Sequence, residues 1–325
     1  MLKSLYLKNL LRATTPAVGG SDTFPATANE FYTAVETIAV QNIRNVKNTN
    51  QIENGFYEYE VDGNGNVIEE AIIEMAQRQN FVDTGSPDFS PSDPTLHVKY
   101  FNNFVKNTFK TTTRKEEIRT IVANKGTTPE EVASGIMDSL TQGEGNYDYE
   151  QMRDILKNTE VGYDASVALF SNKVPANMKG VLYCLRDMYN AVKATNTIGT
   201  ALTSVKQSCP AGDVKIAISE DVLNMIDVVE LANLFNLSKE ELFGQLVVIP
   251  KDDAYTPSRV VVYDAKALGR ATRYYTYDMD HIGAGLYDNH YLHTCRGYFY
   301  NPLFKCLSLN ISTAITQALG TLLTD

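Results

Sequence analysis

Residues 56–72, FYEYEVDGNGNVIEEAI, alternate aromatic or aliphatic side chains with acidic ones on both sides of an Asp-Gly and Asn-Gly turn signal. Alternation with period two marks a strand, and Asp62-Gly63 with the following Asn-Gly supplies positive φ angles, so the segment predicts two strands joined by a turn. A rival reading is a calcium loop, because Asp62, Asn64 and Asn66 are spaced as the first three ligands of an EF-hand. That loop needs glycine at its sixth position and a bidentate glutamate at its twelfth. Those positions hold Val67 and Ile73, which favours the hairpin. A lone two-stranded ribbon is marginal in water, so whatever this chain folds into must bring something to cover it.

The remainder is long enough to bury a core. The chain has 325 residues, 43% hydrophobic and 21% charged, an ordinary balance for a globular protein. No apolar run approaches the roughly eighteen residues that cross a bilayer, and the start lacks the apolar stretch and cleavage site of a secretory signal, so the chain is expected in the cytoplasm. The opening MLKSLYLKNLLR is basic and amphipathic, with no acid before Asp22. It imitates a mitochondrial presequence but reads more simply as a basic arm. A net charge of −10 argues against gripping nucleic acid, which needs clustered lysine and arginine. Cys184, Cys209, Cys295 and Cys306 form no CxxC pair, so buried reduced thiols are expected rather than a zinc ribbon or disulfide scaffold.

Along the chain, Phe31, Val35, Ile38 and Ile43 predict a helix over about 28–46. The proline-rich DTGSPDFSPSDP (83–94) reads as an exposed connection. Thr128 and Glu131 have the form of a capping box around Pro129, and Val132, Ile136 and Leu140 repeat every fourth residue. A second helix is expected at about 147–158. Met178, Leu182, Leu185, Met188 and Val192 form an apolar stripe over 175–195, the pattern of a helix packed on a sheet. DVKIAI (213–218) reads as a strand, Ser219 as the cap of a helix through DVLNMIDVVELANLF, SKEELFG as a further capped helix, and LVVIP as a strand. RVVVYD (259–264), ATRYYTYDMD and CLSLNIS (306–312) read as strands.

Signatures of chemistry are scarce. There is no Gly-Lys pair and hence no P-loop, the three GxG triplets lack the third glycine of the dinucleotide fingerprint, and HExxH and GxSxG are absent. The best constellation is His290, His293 and Cys295, with His281 close by. All can ligate zinc, yet positions 290 and 293 point to opposite faces if the segment is extended. Packed or interface histidines are the simpler reading. The paired acids Asp252-Asp253 and Glu69-Glu70 read as solvated charge. Nineteen tyrosines and no tryptophan suit wide contact surfaces and core packing equally.

Three stretches carry a family resemblance. IDVVELANLFNLSKEELFGQLVVIP (226–250) resembles the apical-domain segment of phage major capsid proteins, with its helix, "AxxFN" helix end and strand. GLYDNHYLHTCRGYFYNPLFKCLSLNI (285–311) looks like their closing segment, and TFKTTTRKEEIRTIVANKGTTPEEVASGIMDSL (108–140) resembles the entry to the helical peripheral domain. The resemblance covers most of residues 100–315 and is nearest to shell proteins of short-tailed phages of Gram-positive hosts. It implies an α+β Hong Kong 97-like capsid fold. The parts would be an N-terminal arm (1–50), an extended β-hairpin loop (51–95), a peripheral domain with a long helix (96–170), an inserted apical α/β domain (171–255), and peripheral return strands with the C-terminus (256–325).

The same resemblance implies a non-enzymatic protein without cofactors that self-assembles into the hexamers and pentamers of an icosahedral head. That head would enclose the double-stranded DNA of a tailed phage. The protein would be made in the host cytoplasm and end in the virion. Partners would be other copies of the chain, a portal protein and, where assembly uses one, a separate scaffolding protein, with DNA close by and no membrane. The extended loop would lie over a neighbouring subunit, placing Phe56, Tyr57, Tyr59, Val61, Asp62, Val67 and Ile68 at the interface. Lys3, Lys8 and Arg12 would make the arm's contacts. The rivals are an encapsulin-like compartment shell of the same fold and a metal-dependent enzyme using His290, His293 and Cys295.

Overall fold

A computed structural model describes residues 52–61, 67–74, 95–114, 129–158, 160–226, 245–250 and 259–322, with backbone alone at 129–133 and 319–322. The expectations for residues 28–46, Lys3, Lys8 and Arg12, Asp62 and its turn, the connection at 83–94, residues 227–235 of the helix capped by Ser219, SKEELFG, and Asp252-Asp253 lie outside them. The described strands are β1 Tyr57–Tyr59, β2 Ile68–Ile73, β3 Leu96–Phe101, β4 Phe104–Arg114, β5 Tyr163–Asp164, β6 Val214–Ser219, β7 Leu246–Ile249, β8 Arg259–Asp264, β9 Leu268–Ile282, β10 Tyr287–Tyr300 and β11 Cys306–Asn310. The helices are α1 Pro129–Lys157, α2 Ala165–Ala168, α3 Met178–Lys193, α4 Glu220–Met225 and α5 Ser312–Leu322. The chain divides into two compact units. Of the described residues, a helix–sheet unit takes those within Phe104–Glu150 and Thr272–Arg296, and a core unit takes those within Asn50–Asn103, Gln151–Ala271 and Gly297–Asp325.

The core unit is built on a five-stranded sheet of order β5-β11-β8-β6-β7. RVVVYD has no polar alternation, and β8 is accordingly the central strand with Val260, Val261, Val262 and Tyr263 all buried. It runs antiparallel to β11 and β6, while β7 lies parallel to β6. On one face α3 lays Val181, Leu185, Met188 and Val192 against Val214, Ile216, Ile218, Val260, Val262, Leu307 and Leu309. Asn177 caps α3 by accepting from the Gly180 N–H at 2.8 Å, and Ser219 caps α4 by accepting from Val222 N–H at 3.4 Å. α4 is shorter than its sequence suggests: it stops at Met225, and Ile226 turns extended and drops into the same core cluster.

On the other face, the Tyr263 hydroxyl donates to the Gly55 carbonyl at 2.9 Å. A Cβ at Gly55 would lie 2.6 Å from the Tyr263 oxygen and 2.7 Å from Val247, so only glycine lets the chain approach this closely. From there β1 adds in parallel to the base of β9, pairing Tyr57 with Gly269 and Tyr59 with Ala271. Gly269 lies under the Phe299 and Tyr59 rings, where a Cβ would come within 2.5 Å.

The hairpin expected over 56–72 is therefore not what forms. Its two strands exist, but β1 pairs with β9, and β2 pairs antiparallel with β3, from Ile68–Phe101 to Ile73–Leu96. Alternation specifies that a strand has two faces and leaves open which edge it joins. The described β2–β3 ladder is fixed to the core unit at both ends. Phe101 stacks on Phe299 at 4.3 Å, and Ile72 packs on Leu202, Val205 and Leu303. Glu74 accepts from Ser204 Oγ at 2.7 Å and pairs with His97 at 2.9 Å.

In the helix–sheet unit, Ile136, Met137 and Leu140 of α1 pack on Phe109, Tyr275, Tyr277 and Leu292 from β4, β9 and β10. α1 runs from Pro129, the capping box of Thr128 and Glu131 lying outside the described side chains, and the two expected helices are one helix of 29 residues. The buried positions 136, 140, 144, 148, 152 and 156 continue a single stripe. Two of them carry acids, Glu144 and Asp148, which is why the apolar periodicity breaks in the sequence while the helix does not.

Candidate functional site

The acids in the α1 stripe are held by Arg296 of β10, whose guanidinium lies 2.7 Å from Glu144 and also donates to Asp148. Arg296 further stacks over the Tyr275 ring at 5.5 Å. Burial by itself would lower the guanidinium pKa, but Asp148 and Glu144 together outweigh it and raise the value. An acid pair against one arginine, out of water, is a rigid fastening of helix to sheet and not an acid–base couple. Sequence reasoning missed it; the signal was two acids in register with Ile136 and Leu140.

The histidines are used within the chain. His290 is fully buried, with its Nδ1 at 2.5 Å from the Tyr277 hydroxyl and its Nε2 at 2.8 Å from Thr113 Oγ1. Burial holds its pKa below the usual imidazole range, with Asp288 opposing. His281 pairs with the buried carboxylate of Asp288, and His293 meets Thr108 at 2.9 Å and stacks on Tyr291 at 5.8 Å. Cys295 is a buried free thiol. As the alternation requires, His290 and His293 occupy opposite faces of β10, and no cluster of three metal-ligating side chains occurs among the described residues. The constellation that looked most chemical in sequence fastens a sheet.

What the molecule presents outward is more informative. Directly opposed residues in an antiparallel pair share a face, so Glu69–Tyr100, Ala71–Val98 and Ile73–Leu96 lie together on one side of the β2–β3 ribbon. Ile73, Leu96 and Tyr100 are 63%, 55% and 59% exposed. The opposite side, with Ile68, Ile72 and Phe101, faces the core unit. Of the residues expected at an interface, Phe56, Tyr59 and Ile68 are buried against the chain itself, Val61 is half-buried, and Tyr57 and Val67 are exposed.

The family described as Phi29-like phage major capsid protein matches residues 6–307. Solved structures share the fold at low identity. A chain from the capsid structure of Staphylococcus phage Andhra matches with a TM-score of 0.57 and 11% identity, covering 77% of this chain and 82% of that one. A chain from the structure of the head fiber and inner core protein gp22 of native bacteriophage P68 matches with a TM-score of 0.53 and 11% identity, covering 80% and 84%. No curated protein matches the chain by sequence.

Proposed function

This chain belongs to the Phi29-like phage major capsid protein family, has a capsid-forming function and an α+β Hong Kong 97-like fold, and on that premise we propose that it assembles as hexamers and pentamers of an icosahedral head around double-stranded DNA. Its role is structural and not catalytic. The head is built in the host cytoplasm, and the portal protein and a separate scaffolding protein are its further partners. Residues 1–50 serve as the arm, 51–95 as the extended loop, 171–255 as the apical domain, and 96–170 with 256–325 as the peripheral domain. Lys3, Lys8 and Arg12 make the arm's contacts. A net charge of −10 keeps packed DNA from being trapped on the lining.

The observation that supports this reading is the uncovered apolar side of the β2–β3 ribbon. Burying a leucine- or isoleucine-sized side chain is worth about 1.5–3 kcal/mol, so covering Ile73 and Leu96 gives each neighbour contact a substantial driving force. Repetition of one such head-to-tail contact through a fixed rotation closes rings. Tyr57 and Val67 extend the contact, while Phe56, Tyr59 and Ile68 hold its base. The test is a double variant, Ile73→Asp with Leu96→Asp, expressed beside wild type with its scaffolding partner. It should fold with an unchanged unfolding midpoint and give no closed particles by negative-stain microscopy. Normal shells from the variant, or a wild-type chain that stays monomeric, would overturn the reading.

A further inference from the structure

The helix–sheet unit has a second face that its own helix does not use. α1 covers the side of the sheet carrying Phe109, Tyr275, Tyr277 and Leu292. The opposite side is defined by cross-strand contacts: Thr108 with His293 at 2.9 Å, Thr112 with Asn289 at 2.7 Å, and the Lys110 ammonium over the Tyr291 ring at 5.6 Å. Alternation then places Lys106, Thr108, Lys110, Thr112 and Arg114 on this side of β4, and all five are exposed. The run KNTFKTTTR thus puts a cation at every fourth residue with threonine between, along one edge of the sheet. β9 lies two strands away in the order β9-β10-β4 and presents Asp278 and Asp280 on the same side, both exposed.

The face is therefore polarised, basic along β4 and acidic along β9, with strips about 10 Å apart at ordinary strand spacing. Beside the acidic strip is a shallow hollow of about 270 Å³ lined by Thr108, Asp278, Met279, Asp280, Tyr291 and His293. Two exposed carboxylates at the rim of a hollow are the surroundings that take a lysine or arginine side chain. Among the described residues, none of Lys106, Arg114, Asp278 and Asp280 makes an ion pair within the chain.

We propose that this face is a contact between copies of the chain, in which the β4 strip of one copy, Lys106, Lys110 and Arg114, seats on the Asp278/Asp280 hollow of another. The occupant is a second copy because the two halves of the contact are present on one molecule and match in sign. The inference rests on the shell-forming reading and adds to the ribbon a second, electrostatic contact that selects partner and register. Single exposed ion pairs are weak, but here several act together and recur at every copy.

The test is a charge swap. Lys106→Glu with Lys110→Glu and Arg114→Glu, and separately Asp278→Lys with Asp280→Lys, each set like charges against each other and should cut the yield of closed particles by about tenfold or more. Combining all five restores opposite charges and should bring the yield back to within about threefold of wild type. The unfolding midpoints of all variants should match wild type. Wild-type assembly by both reversals would overturn the inference while leaving the ribbon reading intact. Loss in both with no recovery in the combined variant overturns it too, since the acidic strip then faces some other cation. Intact but DNA-poor particles from the β4 reversal would instead make β4 a DNA contact. If wild type itself forms no shells, the shell reading has failed.

Discussion

The hydroxyl of Tyr263 reaches the carbonyl of Gly55 at 2.9 Å across 208 residues of chain. It ties the segment entering β1 to the central strand of the core sheet, and Arg270 secures the same segment through Glu53 at 2.8 Å. The β2–β3 ribbon that follows, with one side on the core unit and the other exposed, thus leaves a fixed strand.

Tyr263→Phe removes the donor and leaves a buried carbonyl unsatisfied, a loss of about 1–3 kcal/mol. Gly55→Ala should destabilise more, because its Cβ meets both the Tyr263 oxygen and Val247. Adding Tyr263→Phe to Gly55→Ala should not restore stability, since the Val247 clash persists. Urea unfolding of the three variants checks the order; a Gly55→Ala protein as stable as wild type would contradict the packing.

Arg296→Leu removes the guanidinium that pairs with both Glu144 and Asp148 inside the helix–sheet unit. Removing one side of a buried ion pair costs about 3–5 kcal/mol. Thermal unfolding of wild type, Arg296→Leu and a triple variant that also carries Glu144→Gln and Asp148→Asn reads the effect; a triple variant no more stable than Arg296→Leu would show that lost packing, and not charge, is responsible.

His290 is buried neutral, and its folded pKa lies below the unfolded value of about 6.5. The unfolded chain therefore binds a proton that the folded chain refuses, so the stability this residue contributes is present above that value and is lost as pH falls beneath it. His290→Gln should flatten that acid limb at some cost in stability at neutral pH. An unchanged acid limb in the variant would assign the pH dependence elsewhere.

Lys305 is buried and donates to the Ala191 and Ala194 carbonyls at the end of α3 and to Asn196 Oδ1 at 2.9 Å. Burial pushes its pKa down to about 8, against the pull of Cys209 and Asp264. Between about 8 and the unfolded value near 10.4 the unfolded chain holds the extra proton, so this residue's contribution to stability rises with pH across that window. Lys305→Met should be less stable than wild type, by about 1–3 kcal/mol for the orphaned acceptors. The gap should widen from pH 8 to pH 10. Cys306 acts in the opposite sense: burial raises its thiol to about 12, so its contribution is lost as pH climbs from about 9. Comparing the variant with wild type cancels that background, and a gap that narrows would refute the assignment.

Much of the local structure was legible. RVVVYD, CLSLNIS and LVVIP are strands, the Met178–Val192 stripe is a helix on a sheet, Ser219 is a cap, and Pro129 begins a helix. Of the residues expected at an interface, only Tyr57 and Val67 are exposed among those described, and the apolar side of the ribbon was not legible. Half of it comes from Leu96, Val98 and Tyr100, which follow a proline-rich connection and carried no hairpin signal.

By itself, then, the sequence determined which segments are strands and helices and which side chains share a face, because those depend on period and caps within a few residues. Only the tertiary structure decided that β1 joins β9 and β2 joins β3, that Arg296 carries one helix through two buried acids, and that the histidines are spent on hydroxyls and a carboxylate. Backbone donors and acceptors are alike on every strand edge, and an acid reads as solvent-facing until its counter-charge arrives from 148 residues away. Partner choice is set by long-range packing that no local pattern encodes.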